Sequence, residues 1–466
     1  MPNGVVRVYP ASGATAMLPL TPANDYTPTI IFCGGQAIPT EDFGNYGSPA
    51  VPVWNIPASK DCQRITPQPK DGSAPKYVQD DDMPDGRTMG QFIALPDGKY
   101  LVLNGAYNGT AGYATGGVPG FPPDQMPAYP VLASGPVFTP ALYDPEKALG
   151  QRWSQAGLSP SKIARMYHSS AILLPDGSVL VAGSNSHPDV NLNHIYPTEY
   201  RLERFFPSYF SAPVRPAPQG VPKTLSYGGD YFNITLPAGS YPSSDGKDPA
   251  AVADSVKVVV IRGGFTTHAM NMGQRYLELR TSYTIYKGGS IVLHVSQMPP
   301  NSNLFQPGPA LLFVNVGGIP SNGTHLIVGN GQVGTQPTAA IAVLPDNSVS
   351  NLDSPNATST NSTSPNSTGT SSSSGSGSVL KSAGFIGGMA AVAFVVAGLI
   401  VGFCITKRRR SQRIQADRAS VVLEPVYAFV PDSASRLDLH ETHSFSTSYR
   451  PSSHYSDFNG VHSERR

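Results

Sequence analysis

Two stretches of the chain repeat one hydrophobic pattern. Residues 89–105 read MGQFIALPDGKYLVLNG and residues 166–183 read MYHSSAILLPDGSVLVAG. Each is an apolar run, a Leu-Pro-Asp-Gly turn, a second apolar run and a closing glycine. Pro presets φ in the turn and Asp-Gly closes it tightly, so each stretch predicts a β-hairpin. A weaker echo, PTIIFCGG at 28–35, predicts a short strand ending in paired glycines. Hairpins recurring at about 50 residues mark kelch-type blades. The two clear hairpins lie 79 residues apart, so long inserts such as the Gly/Pro-rich run 112–140 are expected between strands. Over 1–204 this texture predicts about four blades of an incomplete β-propeller.

From residue 205 the pattern changes. FFPSYFSAPVRPAP reads as a Pro-rich linker. Apolar strand candidates follow at 255–262, 276–286, 290–295, 310–316, 325–328 and 339–344, separated by turn residues. Short strands at this spacing predict an immunoglobulin-like β-sandwich over 205–346. Residues 347–382 are rich in Asn, Ser, Thr and Gly, cannot bury a core, and read as a disordered stalk. Residues 383–406 carry no charge and are long enough to span a bilayer as one helix. Lys407-Arg408-Arg409-Arg410 follow at once. The positive-inside rule puts 407–466, a Ser/Arg/His-rich tail expected to be disordered, in the cytosol. The polar tail argues against a GPI signal. The expected whole is all-β: a partial propeller, a sandwich and a single-pass plasma-membrane anchor with its N-terminal part outside.

Composition supports that picture. With 466 residues the chain has room for two or three domains. Its 47 Gly, 46 Pro and 14% charged residues favour a turn-rich extracellular β protein, and a net charge of +1 argues against nucleic-acid binding. Three cysteines exclude a disulfide-dense scaffold. Cys33 and Cys62 either pair, as a secreted ectodomain would allow, or are two buried thiols. Cys404 is either palmitoylated or an ordinary membrane thiol. Asn108, Asn233, Asn322, Asn356, Asn361 and Asn366 begin N-x-S/T sequons, the last three fitting a glycosylated stalk. Tyr427 in YAFV matches the pattern of a tyrosine sorting signal.

The candidate chemistry sits at the head of the second hairpin, where Tyr167 and His168 are adjacent in RMYHSS. A second histidine, His268, lies in GGFTTHAMNMGQR, in a loop from which a side chain can project. Phenolate oxygen and imidazole nitrogen form a donor set suited to tetragonal Cu(II). Taken alone, such a pair is more often a packed aromatic beside a hydrogen-bonded histidine. Arg165 reads either as support for the pair or as a solvated surface charge, and His187 in SNSHPDV as a loop histidine.

Tyr167-His168, the LLPDGxVLVAG that follows and His268 in THAMNMGQR together resemble the copper radical oxidases, most closely the glyoxal oxidase branch and more distantly galactose oxidase. The resemblance covers roughly residues 1–345. It implies a seven-bladed kelch propeller and a C-terminal sandwich that reaches in with one histidine. It implies His168 and His268 as equatorial copper ligands, and Tyr167 as the axial tyrosinate that takes the substrate's hydroxyl proton. Small aldehydes or primary alcohols would be oxidised by O2 to give H2O2. The family takes its second electron from a tyrosine cross-linked to a cysteine, in an R-W-Y or R-G-Y motif upstream of the Tyr-His pair. The nearest pattern here, Gly86-Arg87-Thr88-Met89-Gly90-Gln91, has no tyrosine. The start MPNGVVRVYPASG has neither the basic nor the apolar region of a signal peptide. One expectation covers both points: the chain is an N-terminally truncated version of a longer secretory protein, its Tyr-Cys radical half-site lying upstream of residue 1. The alternative is a non-catalytic cell-surface ectodomain that binds carbohydrate such as cell-wall polysaccharide.

Overall fold

The computed structural model describes residues 1–38, 51–242, 248–267, 270–355 and 424–428. The first antiparallel sheet holds β1 (Ala14–Met17), β2 (Ile30–Cys33), β3 (Cys62–Ile65) and β4 (Tyr77–Gln79) in that order. Cys33 and Cys62 face each other across β2 and β3, 4.2 Å apart at Cα, and form a disulfide. Next come β5 (Gln91–Ala94) and β6 (Tyr100–Leu103), the separate pair β7 (Ala106–Tyr113) and β8 (Val131–Pro136), then β9 (Ala141–Tyr143) and β10 (Trp153–Ser154). Strands β5, β6, β9 and β10 make the second sheet. The third holds β11 (Ser169–Leu173), β12 (Val179–Gly183) and β13 (Glu203–Phe206).

The predicted Leu-Pro-Asp-Gly hairpins are both present. Leu95 N–H donates to Lys99 O at 2.8 Å and Leu174 N–H to Ser178 O at 2.7 Å. Gly98 and Gly177 turn at φ +87° and +88°, a conformation glycine adopts without a Cβ penalty. Four blades were expected over 1–204; the described residues form three such sheets and the β7–β8 pair. The chain between the second sheet's strands β6 and β9 is taken up by that inserted pair.

The C-terminal part is a β-sandwich. Its strands are β14 (Thr224–Leu225), β15 (Tyr227–Gly229), β16 (Phe232–Leu236), β17 (Val256–Arg262), β18 (Phe265–Thr267), β19 (Met270–Met272), β20 (Arg275–Leu279), β21 (Thr281–Tyr286), β22 (Ile291–Val295), β23 (Gly308–Val316), β24 (Ile319–Pro320), β25 (Thr324–Val328), β26 (Thr338–Ile341) and β27 (Ser348–Ser350). One sheet runs β14-β25-β23-β17-β20 and the other β16-β22-β21-β27. Val258, Val260, Leu277, Leu293, Leu312 and Val314 interdigitate in the core between them. The single strand expected over 276–286 is two: the chain breaks at Arg280, and β20 and β21 belong to different sheets. The 204/205 boundary cuts through β13, and the start of the expected stalk is β27, paired with β21.

The hairpin β18–β19 leaves the sandwich and joins the first sheet, where Met270 pairs in parallel with Thr15 of β1. Its other flank lies against β11. It thus bridges the first and third sheets, whose edges would otherwise lie open. A final strand, β28 (Glu424–Ala428), pairs in parallel with β13. It includes Tyr427, so the expected disordered tail is a strand at these five residues. Among the described residues no helix is long and apolar enough to cross a membrane; the predicted span 383–406 lies outside them.

Candidate active site

Tyr167 and His168 sit where the chain turns into β11. Tyr167 is buried and His168 exposed. Their rings stack at 3.8 Å between centroids and 27° between planes, so both side chains leave the backbone on the same side. His168 holds φ +63°, a left-handed conformation that few non-glycine residues adopt. Such a conformation persists where the surroundings over-determine it, and here they do. Met166 N–H donates to Ser184 Oγ at 3.0 Å. Tyr167 O accepts from Asn185 N–H at 2.8 Å, and Arg165 O from Gly105 N–H at 2.7 Å. Gln91 Nε2 donates to Ser169 O at 3.1 Å.

Arg165 is not a solvated surface charge. Its guanidinium is buried against the Glu203 carboxylate, with side-chain exposures of 1% and 0%. It also donates to Gly183 O at 2.7 Å and Arg201 O at 2.9 Å. Glu203 accepts a further bond from Ser161 Oγ at 2.6 Å.

Tyr9 was not foreseen as part of the site. Its ring lies 6.3 Å from that of Tyr167 and its hydroxyl is hydrogen-bonded to it. Burial first, then the bond to Tyr9 and the fields of Tyr9 and Tyr113, push the Tyr167 phenol well above the ordinary tyrosine range. Tyr9 lies 158 residues upstream, and no spacing rule connects it to Tyr167. Glu203 was missed for the same reason.

His268 lies outside the described residues. The strands on either side of it are described. Thr267 pairs with Met270 in the hairpin β18–β19. Just after that hairpin, Gln274 bonds Ala94 N at 2.9 Å and Phe92 O at 3.2 Å. At the other end of the same strand Gln91 bonds Ser169, next to His168. The hairpin thus lies against β11, the strand that Tyr167 and His168 lead into, and against β5.

Phenol oxygen and imidazole nitrogen are donor types that Cu(II) takes, and here they belong to adjacent residues with stacked rings. Among the described residues no group of three or more His, Cys, Asp or Glu could hold a metal. His187 is the loop histidine expected: buried, bonded to Tyr196 O at 2.7 Å and edge-on to His194 at 4.4 Å. A groove of about 680 Å³ on the first sheet, lined by Thr27, Arg64, Lys70 and Lys76, shares no residue with this site.

Residues 1–209 match the family described as Glyoxal oxidase N-terminus, and residues 215–328 the Galactose oxidase-like, Early set domain. Aldehyde oxidase GLOX1 of Arabidopsis thaliana is 33% identical over 337 residues, covering 69% of this chain and 48% of that protein. Aldehyde oxidase GLOX of Vitis pseudoreticulata is 33% identical over 327 residues, 68% of this chain and 53% of that protein. Galactose oxidase of Gibberella zeae is 28% identical over 237 residues, 50% of this chain and 28% of that protein. A solved structure titled as a novel fungal alcohol oxidase of the AA5 family in complex with copper aligns with a TM-score of 0.46 and 18% identity, covering 68% of this chain and 54% of that one. The chain spans about half the length of the aldehyde oxidases it matches. Carrying both family domains in the expected order, the chain belongs to the copper radical oxidase family, in its glyoxal oxidase branch.

Proposed function

We propose that this chain carries the Tyr-His-His part of a copper oxidase centre, with Tyr167, His168 and His268 as ligands. Its substrates would be small aldehydes or primary alcohols, oxidised by O2 with release of H2O2. The observation that carries the reading is the stacked Tyr167–His168 pair just before β11, with the β18–β19 hairpin lying against that strand. Copper bound there supplies a Lewis acid and one electron acceptor. The chain's own residues do the rest. His168 presents its imidazole at the solvent edge. Tyr167, once a phenolate, takes the substrate's hydroxyl proton as general base; burial gives that phenolate a high proton affinity. Tyr9 orients the phenol through its hydrogen bond.

A two-electron oxidation needs a second redox group. Cys33 is bonded to Cys62, so it is not a thioether partner for a tyrosine. The reading therefore assigns the Tyr-Cys group to protein outside this chain. It also keeps 383–406 as a plasma-membrane anchor, with the sheets on the extracellular side; protease protection in intact cells tests that placement.

The direct test loads the chain with Cu(II) and follows peroxide release with methylglyoxal, glyoxal and galactose. Saturable copper binding that is lost in Tyr167→Phe and His268→Ala supports the site. Copper binding without peroxide shows a site that needs its radical partner. No specific copper binding overturns the reading in favour of a non-catalytic surface ectodomain.

A further inference from the structure

The Tyr167–His168 pair is fixed by two kinds of contact. The first belongs to the repeat itself. In the second sheet Arg87 donates to Asn104 O at 2.6 Å, and Thr88 O accepts from Ala106 N–H at 3.1 Å. In the third sheet Arg165 donates to Gly183 O, and Tyr167 O accepts from Asn185 N–H. Both acceptor and donor lie 79 residues on in sequence, so this scaffold is shared. The second kind is the ion pair of Arg165 with Glu203, a residue of β13 two strands away. Glu203 is itself held by Ser161 Oγ. Arg165 thereby ties the backbone two residues before Tyr167 to β12 and β13.

We infer that Glu203, through Arg165, is a positioning residue for the Tyr167–His168 ligand pair and sets its copper affinity and coordination geometry. The inference rests on the copper reading above. Groups that orient metal ligands from behind are worth about 10–100-fold in metal affinity when removed. Here the neighbouring backbone keeps its own bonds through Ser184, Asn185, Gly105 and Gln91. Loss of the carboxylate charge should therefore loosen the pair's orientation without unmaking the strand.

The first sheet supplies the control. Arg7 pairs with Asp61 in a second buried ion pair, with exposures of 2% and 12%, outside the third sheet that carries Tyr167 and His168. Cu(II) affinity by competition titration and the Cu(II) electron paramagnetic resonance spectrum are measured on the full chain, on Glu203→Gln and on Asp61→Asn. The expected result is copper affinity lowered about tenfold with altered hyperfine coupling in Glu203→Gln, and wild-type values in Asp61→Asn. Wild-type affinity and spectrum in a folded Glu203→Gln overturn the inference. So does an equal loss in both variants, which would mark a general stability effect. If Glu203→Gln does not fold, Glu203→Asp, which keeps the charge but withdraws it by a methylene, takes its place with the same two outcomes. A wild-type chain that binds no copper sinks the copper reading itself, a result distinct from unchanged binding in the variant.

Discussion

The second and third sheets begin with the same backbone and different side chains. Met89 and His168 hold φ +59° and +63°, 79 residues apart, each just before an inner strand and its Leu-Pro-Asp-Gly hairpin. At this lead-in the second sheet presents Thr88 and Met89, both buried. The third presents a buried Tyr167 and an exposed His168. The left-handed turn is thus a property of the repeat, and the Tyr-His pair stands on it in one copy only. Strained backbone here does not by itself mark a site; the side chains and their supports do.

The comparison breaks first if the two lead-ins respond alike. Tyr167→Phe should cut any copper-dependent peroxide formation by about 10²–10⁴-fold, the range for removing a general base. Thr88→Val, which loses the bond to Ala11 O, should leave turnover intact and lower stability by about 1 kcal/mol. A peroxide assay beside denaturant melts separates the two. Arg165→Met strands the Glu203 carboxylate in the core and should destabilise by about 3–5 kcal/mol, whereas Arg165→Met with Glu203→Leu should recover most of it. Equal losses in the single and double variants by urea titration would refute this. Opening the Cys33–Cys62 bond, which pins the first sheet, should cost about 2–5 kcal/mol without changing copper affinity.

Smaller effects sharpen the contrast. His168→Gly should raise stability by about 1 kcal/mol by relieving the left-handed turn, while abolishing copper binding. Met89→Gly relieves the same turn but vacates a buried side chain, and should lose about 2–5 kcal/mol instead. Melting curves of the two variants should therefore shift in opposite directions. The least effect is expected from His187, whose pKa burial lowers. A histidine depressed in the folded state binds its proton more readily unfolded, so its contribution is complete above about pH 6.5 and is lost as pH falls through the folded value. His187→Asn should flatten the fall in melting temperature between about pH 7 and 5.

The hairpins were legible because a Pro-Asp-Gly turn between apolar runs is a local instruction. So was the Tyr167-His168 pair, since adjacent residues need no folding to be neighbours. The strands of the sandwich were read nearly to the residue where apolar runs were unbroken, as at 255–262 against Val256–Arg262. They were misread at Arg280, where one apolar run serves two sheets and only the packing between the sheets tells them apart. The β7–β8 pair was hidden because β7, AYNGTAGY, has no apolar run and β8 lies inside the Gly/Pro-rich run 112–140, both of which read locally as loop.

By itself the sequence determined the β character of the chain, the hairpin turns, the residue types able to hold copper and the order in which they occur. These follow from local stereochemistry and side-chain donors, which travel with the residue. Tertiary structure alone decided that Cys33 meets Cys62, that Arg165 is buried on Glu203, that Tyr9 reaches Tyr167 and that the β18–β19 hairpin slots between β1 and β11. Each joins positions far apart along the chain, and hydrophobic burial, which brings them together, is blind to sequence distance.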